Sequence, residues 1–181
     1  MGEAALALRS RAMADPASPS DHTAPAGEDP LAPESVAGMR VLLVDDNVQN
    51  LELLQAYLED LGCAIAVATD GQAAIDAALA EPPDIILLDI MMPRVSGFQA
   101  CQKIKRDPRT RHIPIIVVTA LNEVGDVERA VDCGADDFLT KPVQKIELLT
   151  RVRSLLRVSR LQRELEAATA KLREAKRQRG G

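Results

Sequence analysis

Three unbroken apolar runs, Val41–Val44, Ile85–Leu88 and Ile115–Val118, each stop abruptly on polar residues, and this pattern leaves the chain few folds to choose from. A strand with one wet face alternates apolar and polar residues. A continuous apolar run belongs to a strand covered on both faces, as in a parallel sheet between two layers of helices. A weaker run at Cys63–Val67 and the short pair Phe138-Leu139 extend the count to five strands. Between the runs lie residues at helical spacing. They are Val48, Leu51, Leu54, Leu58 and Leu61, then Ala74, Ala77 and Ala78, then Phe98, Cys101 and Ile104, then Val124, Val127 and Val131. Alternation of this kind implies an α/β domain with right-handed crossovers, in which ligands bind outside the carboxyl ends of the strands.

The polar residues at those ends are Asp45 and Asp46, Asp89, Thr119 and Lys141. Three carboxylates converging at one sheet edge raise one another's pKa unless a cation intervenes. Mg²⁺ suits such a place, because it prefers oxygen ligands, keeps several waters and is held by one or two carboxylates plus phosphate oxygens. Asp89, exposed at the end of a strand, is the candidate nucleophile for an aspartyl phosphate. Lys141 supplies a compact positive charge to transferring phosphoryl oxygens, and Thr119 a hydroxyl. Taken alone, an acid pair at a strand end serves equally well as a helix cap or a solvated turn, and Lys141 as a surface lysine. The five in register, with Pro142 marking a special turn after Lys141, favour the phosphoryl chemistry.

Composition sets outer limits. A chain of 181 residues, 46% apolar, has room for one ordinary domain plus extensions, and with 2% aromatic residues the core must be aliphatic. No apolar stretch approaches transmembrane length, and Ala4–Leu8 is too short for a secretory signal, so a soluble cytoplasmic protein with no membrane partner is expected. Cys63, Cys101 and Cys133 lack metal-ligand spacing and read as small core residues. Residues 1–38, rich in Ala, Pro, Ser, Gly and acids, are expected to be disordered, unless translation starts at Met13 or Met39. The net charge of −5 gives no reason to expect nucleic-acid binding, and the basic character of residues 158–181 reads as a solvated helix face.

The runs Val41–Asn47 and Leu87–Pro93, with Gly97, the Val117–Ala120 end and the Phe138–Pro142 segment resemble the receiver domain of bacterial two-component response regulators over residues 39–157. The stretch from Gly134 through Leu155 looks particularly like the first receiver of PleD-type diguanylate cyclases. The resemblance implies a flavodoxin-like (βα)5 doubly wound sheet of strand order 2-1-3-4-5. It implies Mg²⁺ ligated by Asp46, Asp89 and the backbone carbonyl of Met91, with Asp45 acting through water, and Asp89 phosphorylated by a sensor histidine kinase. It also implies a cis Lys141-Pro142 bond and a switch in which Thr119 moves toward the phosphate and Phe138 follows. Many relatives carry Tyr at that position, and Phe lacks the hydroxyl that reports inward or outward placement. A plain core phenylalanine is the alternative. The response is expected on the face of the fourth helix, fifth strand and fifth helix.

From Val143 no helix breaker appears until Gly180. One long C-terminal helix is therefore expected, with Leu148, Val152 and Leu155 on the body. Beyond it Val158, Leu161, Leu165, Ala168, Leu172 and Ala175 alternate at spacings of three and four, the a/d seam of a parallel coiled-coil dimer. A helix frayed in a monomer is the bland alternative. The expected function is a phosphoacceptor regulator with no separate catalytic output, since the chain ends at Gly181. A receiver cut from a larger output protein such as a diguanylate cyclase is the second reading. An aspartate-nucleophile phosphatase is the third, disfavoured because such enzymes carry a second Asp where Met91 stands.

Overall fold

The computed structural model describes residues 36–120 and 132–179. The expected helix at Val124, Val127 and Val131 and residues 1–35 of the expected disordered extension lie outside them. Five strands form one parallel sheet in the order β2-β1-β3-β4-β5. They are β1 (Arg40–Val44), β2 (Ala64–Ala68), β3 (Ile85–Asp89), β4 (Ile115–Thr119) and β5 (Asp137–Thr140). Helices α1 (Val48–Leu58), α2 (Gly71–Ala80) and α3 (Gly97–Arg106) follow the first three strands, and the C-terminal helix runs from Lys145 to Arg179.

The unbroken apolar runs divide by parity into two cores, which is what burial on both faces requires. Leu42, Val44, Ile86, Leu88, Ile115 and Val117 pack against Ala74 and Ala78 of α2 and Cys101 and Ile104 of α3. Val41, Leu43, Ile85, Leu87, Ile116 and Val118 pack against Leu51, Leu54 and Leu58 of α1 and Leu148, Val152 and Leu156 of the C-terminal helix. Leu148 and Val152 are buried and Leu155 packs half-buried against the same core, as expected, and Leu156, one helical turn beyond Val152, extends the buried stripe. Val48, at the start of its stripe, is exposed. Packing begins slightly before the expected boundary, since Val36 is buried in the second core. Cys101 and Cys133 are buried and Cys63 half-buried, as small apolar residues would be.

Local signals start the helices. Asn47 caps α1 by accepting from Gln49 N–H, Asp70 caps α2, and Ser96 with Gln99 forms a capping box on α3. The C-terminal helix is tied down by Lys145 to Asp60 at 2.7 Å, by Arg151 to both oxygens of Asp137 at 2.7 and 2.8 Å, and by Arg163 to Asp84 at 2.7 Å. Past Arg163, Leu165 and Leu172 are exposed. No described helix is long and apolar enough to cross a membrane.

The turn after β3 folds back on the strand it leaves. Gly97 N–H donates to Ile90 O at 3.1 Å. A Cβ built on Gly97 would lie 2.0 Å from Asp89 O and 2.7 Å from Ile90 Cα, so only hydrogen fits there. Backbone cannot yield as a flexible side chain would. Gly97→Ala is expected to lower stability by at least the ~1–3 kcal/mol typical of overpacking, read from the urea midpoint. An unchanged midpoint would mean that the turn relaxes freely.

Candidate functional site

Each site residue is placed by the end of a strand. Val44 pairs with Leu88 and Asp89 with Val118, so Asp45 and Asp89 leave neighbouring strands at nearly one level. Thr119 pairs with Thr140, and Lys141 N–H donates to Thr119 O at 2.8 Å, which carries Lys141 to the same edge. The Lys141-Pro142 bond is cis, as expected. Carboxylate oxygens of Asp45, Asp46 and Asp89 all lie within 4.8 Å of one another.

The three acids are not equivalent. Asp45 and Asp89 are buried, whereas Asp46 is exposed. Lys141 Nζ stands between the buried pair, 2.9 Å from Asp45 Oδ2 and 3.2 Å from Asp89 Oδ1. Asp45 is richly bonded. Its Oδ1 accepts from Asn47 N–H at 2.9 Å and Asn50 Nδ2 at 3.0 Å, and its Oδ2 from Asn50 Nδ2 at 2.9 Å and Lys141 Nζ. Asp89 Oδ1 is buried and receives no aligned hydrogen bond, the Lys141 approach being an ion-pair contact only.

Titration follows from this asymmetry. Burial pushes the Asp89 carboxyl above its ordinary pKa, and the Asp45 charge adds to that, while the Lys141 charge and the Met91 backbone N–H act in the opposite sense without cancelling it. Burial also opposes the charge on Lys141, but the hydrogen bond it donates to Asp45 and the attraction of the Asp89 carboxylate outweigh that and hold the ammonium above its ordinary pKa. A buried carboxylate oxygen whose one nearby donor, the Lys141 ammonium, is poorly aligned, beside two further carboxylates, is an oxygen-only donor set that fits a hard divalent cation.

The residues expected from sequence distribute as follows. Asp45, Asp46, Asp89 and Lys141 come together in one cluster. Thr119 is buried at the adjoining strand end. Met91 lies in the turn after β3 and is 73% exposed. Phe138 sits on the edge strand, 39% exposed. Sequence reasoning missed Asn50, whose only signal is its place in the first turn of α1, five residues after Asp45. A cavity of about 240 Å³ opens beside the cluster, lined by Asp45, Asn50, Leu53, Tyr57, Lys141 and Val143 among others.

The profile of the response regulator receiver domain family matches residues 41–153. The response regulator PleD of Caulobacter vibrioides is 48% identical over 118 residues, which are 65% of this chain and 26% of that protein. The DNA-binding dual master transcriptional regulator RpaA of Synechocystis is 43% identical over 118 residues, again 65% of this chain and 49% of that protein. The chain thus spans between a quarter and half of these relatives. Among solved structures, the receiver domain of sensor histidine kinase PA1611 from Pseudomonas aeruginosa aligns with TM-score 0.62 and 33% identity. It covers 66% of this chain and 98% of its own, and holds a magnesium ion coordinated in its active-site cleft.

The raised pKa of Asp89 has a sign that can be tested. A carboxyl that holds its proton more tightly folded than unfolded adds stability at pH values below its unfolded pKa, and that contribution disappears as pH rises through the folded value. At neutral pH in chelator the ionised Asp89 therefore weakens the fold. Asp89→Asn is expected to melt a few degrees above wild type under those conditions, with the gap closing as pH falls toward the ordinary carboxylate range. A gap that widens toward acid would reverse the assignment.

Proposed function

Because this chain belongs to the response regulator receiver domain family, we propose that it is a phosphoacceptor regulator of a two-component system, working in the cytoplasm and phosphorylated on Asp89 by a sensor histidine kinase. The observation that carries this reading is the unbonded, buried Asp89 Oδ1 beside Asp46, Asp45 and Lys141. Asp46, Asp89 and the Met91 carbonyl would hold Mg²⁺, while Asp45, whose acceptor positions are taken by Asn47, Asn50 and Lys141, would serve the site through Lys141 rather than through the expected water. When bound, the ion offsets the charge of the acids and of the phosphoryl oxygens.

The chain's own groups divide the remaining work. An Asp89 carboxylate oxygen forms the new bond to phosphorus as the P–N bond of the donor's phosphohistidine breaks, and the leaving imidazole takes up a proton. Lys141, already 3.2 Å from Asp89, shifts toward the added phosphoryl oxygens. Thr119 donates its hydroxyl to the same oxygens and thereby couples the site to β4 and β5, with Phe138 on β5 following. The exposed position of Phe138 supports this, since it leaves the ring a direction in which to move. The output is a change in homodimer or partner contacts, through the C-terminal helix and the β5 face beside it. The exposed Val158, Leu161, Leu165 and Leu172 support a second helix as partner.

A second reading is favoured by the PleD match, which spans 26% of that relative. On it, this chain is the receiver portion of a larger output protein, and the C-terminal helix is the connection to its effector. The site chemistry is the same in both. Neither reading assigns a separate catalytic output to these residues.

Acetyl phosphate with Mg²⁺ is expected to add one phosphate to wild type by intact mass, and none to Asp89→Asn or without the metal. Undiminished labelling of that variant would remove Asp89 from the role. Deletion of residues 158–181 is expected to weaken self-association about tenfold or more in sedimentation equilibrium, since a dimer held by one short seam loses all of it. An equally tight dimer would place the interface on the globular body.

A further inference from the structure

We propose that Asn50 is a positioning residue of this site: its side-chain amide holds Asp45 so that this carboxylate anchors Lys141 and leaves the cation to Asp46 and Asp89. The inference rests on the magnesium reading above and deepens it. A carboxylate has about four acceptor positions. On Asp45, which is 1% exposed, all four are occupied, by Asn47 N–H at 2.9 Å, by Lys141 Nζ at 2.9 Å and by Asn50 Nδ2 on both oxygens at 3.0 and 2.9 Å. Asp89 presents the opposite case, with a buried Oδ1 that receives no aligned hydrogen bond and only the ion-pair contact of Lys141 at 3.2 Å. Two buried acids on neighbouring strand ends are thus assigned different tasks by their hydrogen bonds.

Asn50 does not earn its place as a cap. The capping position of α1 is filled by Asn47, whose side chain accepts from Gln49 N–H at 2.9 Å. Asn50 stands one turn on, half-buried, where Leu51 and Leu54 seat α1 on the sheet. Its amide faces back across five residues to Asp45. The choice of amide matters. A neutral donor steadies the carboxylate without adding a charge, whereas a carboxylate there would repel Asp45 and a lysine would compete with Lys141. Loss of the amide frees acceptor positions on both Asp45 oxygens in a buried place. Asp45 then draws Lys141 away from Asp89 or turns toward the cation, and either movement disturbs the ligand set.

The test is calorimetric titration of Mg²⁺ into the full chain, with the melting temperature of each variant taken in chelator. Asn50→Leu, which keeps the shape and removes the donors, and Asn50→Ala are expected to weaken Mg²⁺ binding on the order of tenfold, as loss of an outer-shell partner of a metal site typically does. Ala56→Gly, exposed on α1 away from the site, loosens the same helix and is expected to leave the affinity unchanged. A shift in the side-chain amide NMR resonances of Asn50 on adding Mg²⁺ to wild type would support the coupling independently. Asn50 variants that bind Mg²⁺ as tightly as wild type, or a loss of equal size in Ala56→Gly, would overturn the role of Asn50 while leaving the magnesium reading intact. Wild type that binds no Mg²⁺ would overturn both.

Discussion

Two buried carboxylates, Asp45 and Asp89, share a single ammonium, and the rest of the site is arranged around that shortage of positive charge. A parallel sheet creates the problem, because neighbouring strands deliver their carboxyl-end residues to one level. The fold meets it unequally. Asp45 takes the backbone and amide donors of the α1 entry, so its charge is well accommodated. Asp89 is left underserved, and its carboxyl resists ionisation. A group kept in that condition gains by acquiring a cation or by forming a bond to an electrophile, the two events proposed for it. Reactivity and instability here have one physical origin.

The legible parts of the sequence were those governed by short-range rules. Unbroken apolar runs gave the strands, because burial on both faces leaves no room for polar alternation. Polar residues directly after the runs gave Asp45, Asp46, Asp89, Thr119 and Lys141. The strand order and the cis bond at Pro142 came through family resemblance, since neither is encoded in local spacing. Leu156 shows the limit: the stripe of Leu148, Val152 and Leu155 was legible, but how far the buried face of a long helix widens depends on the angle at which it lands on the sheet. Asn50 was missed for a related reason. Its pairing with Asp45 depends on how the loop between them turns α1 back toward β1, and the spacing of two polar residues carries no record of that direction.

Gly97 illustrates how the site depends on backbone placement as much as on side chains. The turn that carries Met91 and its carbonyl is folded tightly enough that α3 begins in contact with the main chain of Asp89. Any rearrangement at the end of β3 is therefore felt by the first residue of α3. The proposed acceptor is joined to its surroundings by two routes, through Lys141 to β5 and through Gly97 to α3.

The Arg163 to Asp84 pair marks where the C-terminal helix parts from the domain. From there to Arg179 are sixteen residue steps, about 24 Å of unsupported rod at 1.5 Å per residue. Asp84 also accepts from the Arg40 backbone at the start of β1, so the pivot is fastened to an interior strand of the sheet. Such an arrangement is a lever with a fixed fulcrum. By simple geometry, a tilt of the buried segment too small to disturb its packing is magnified at Arg179 in proportion to the length of the arm.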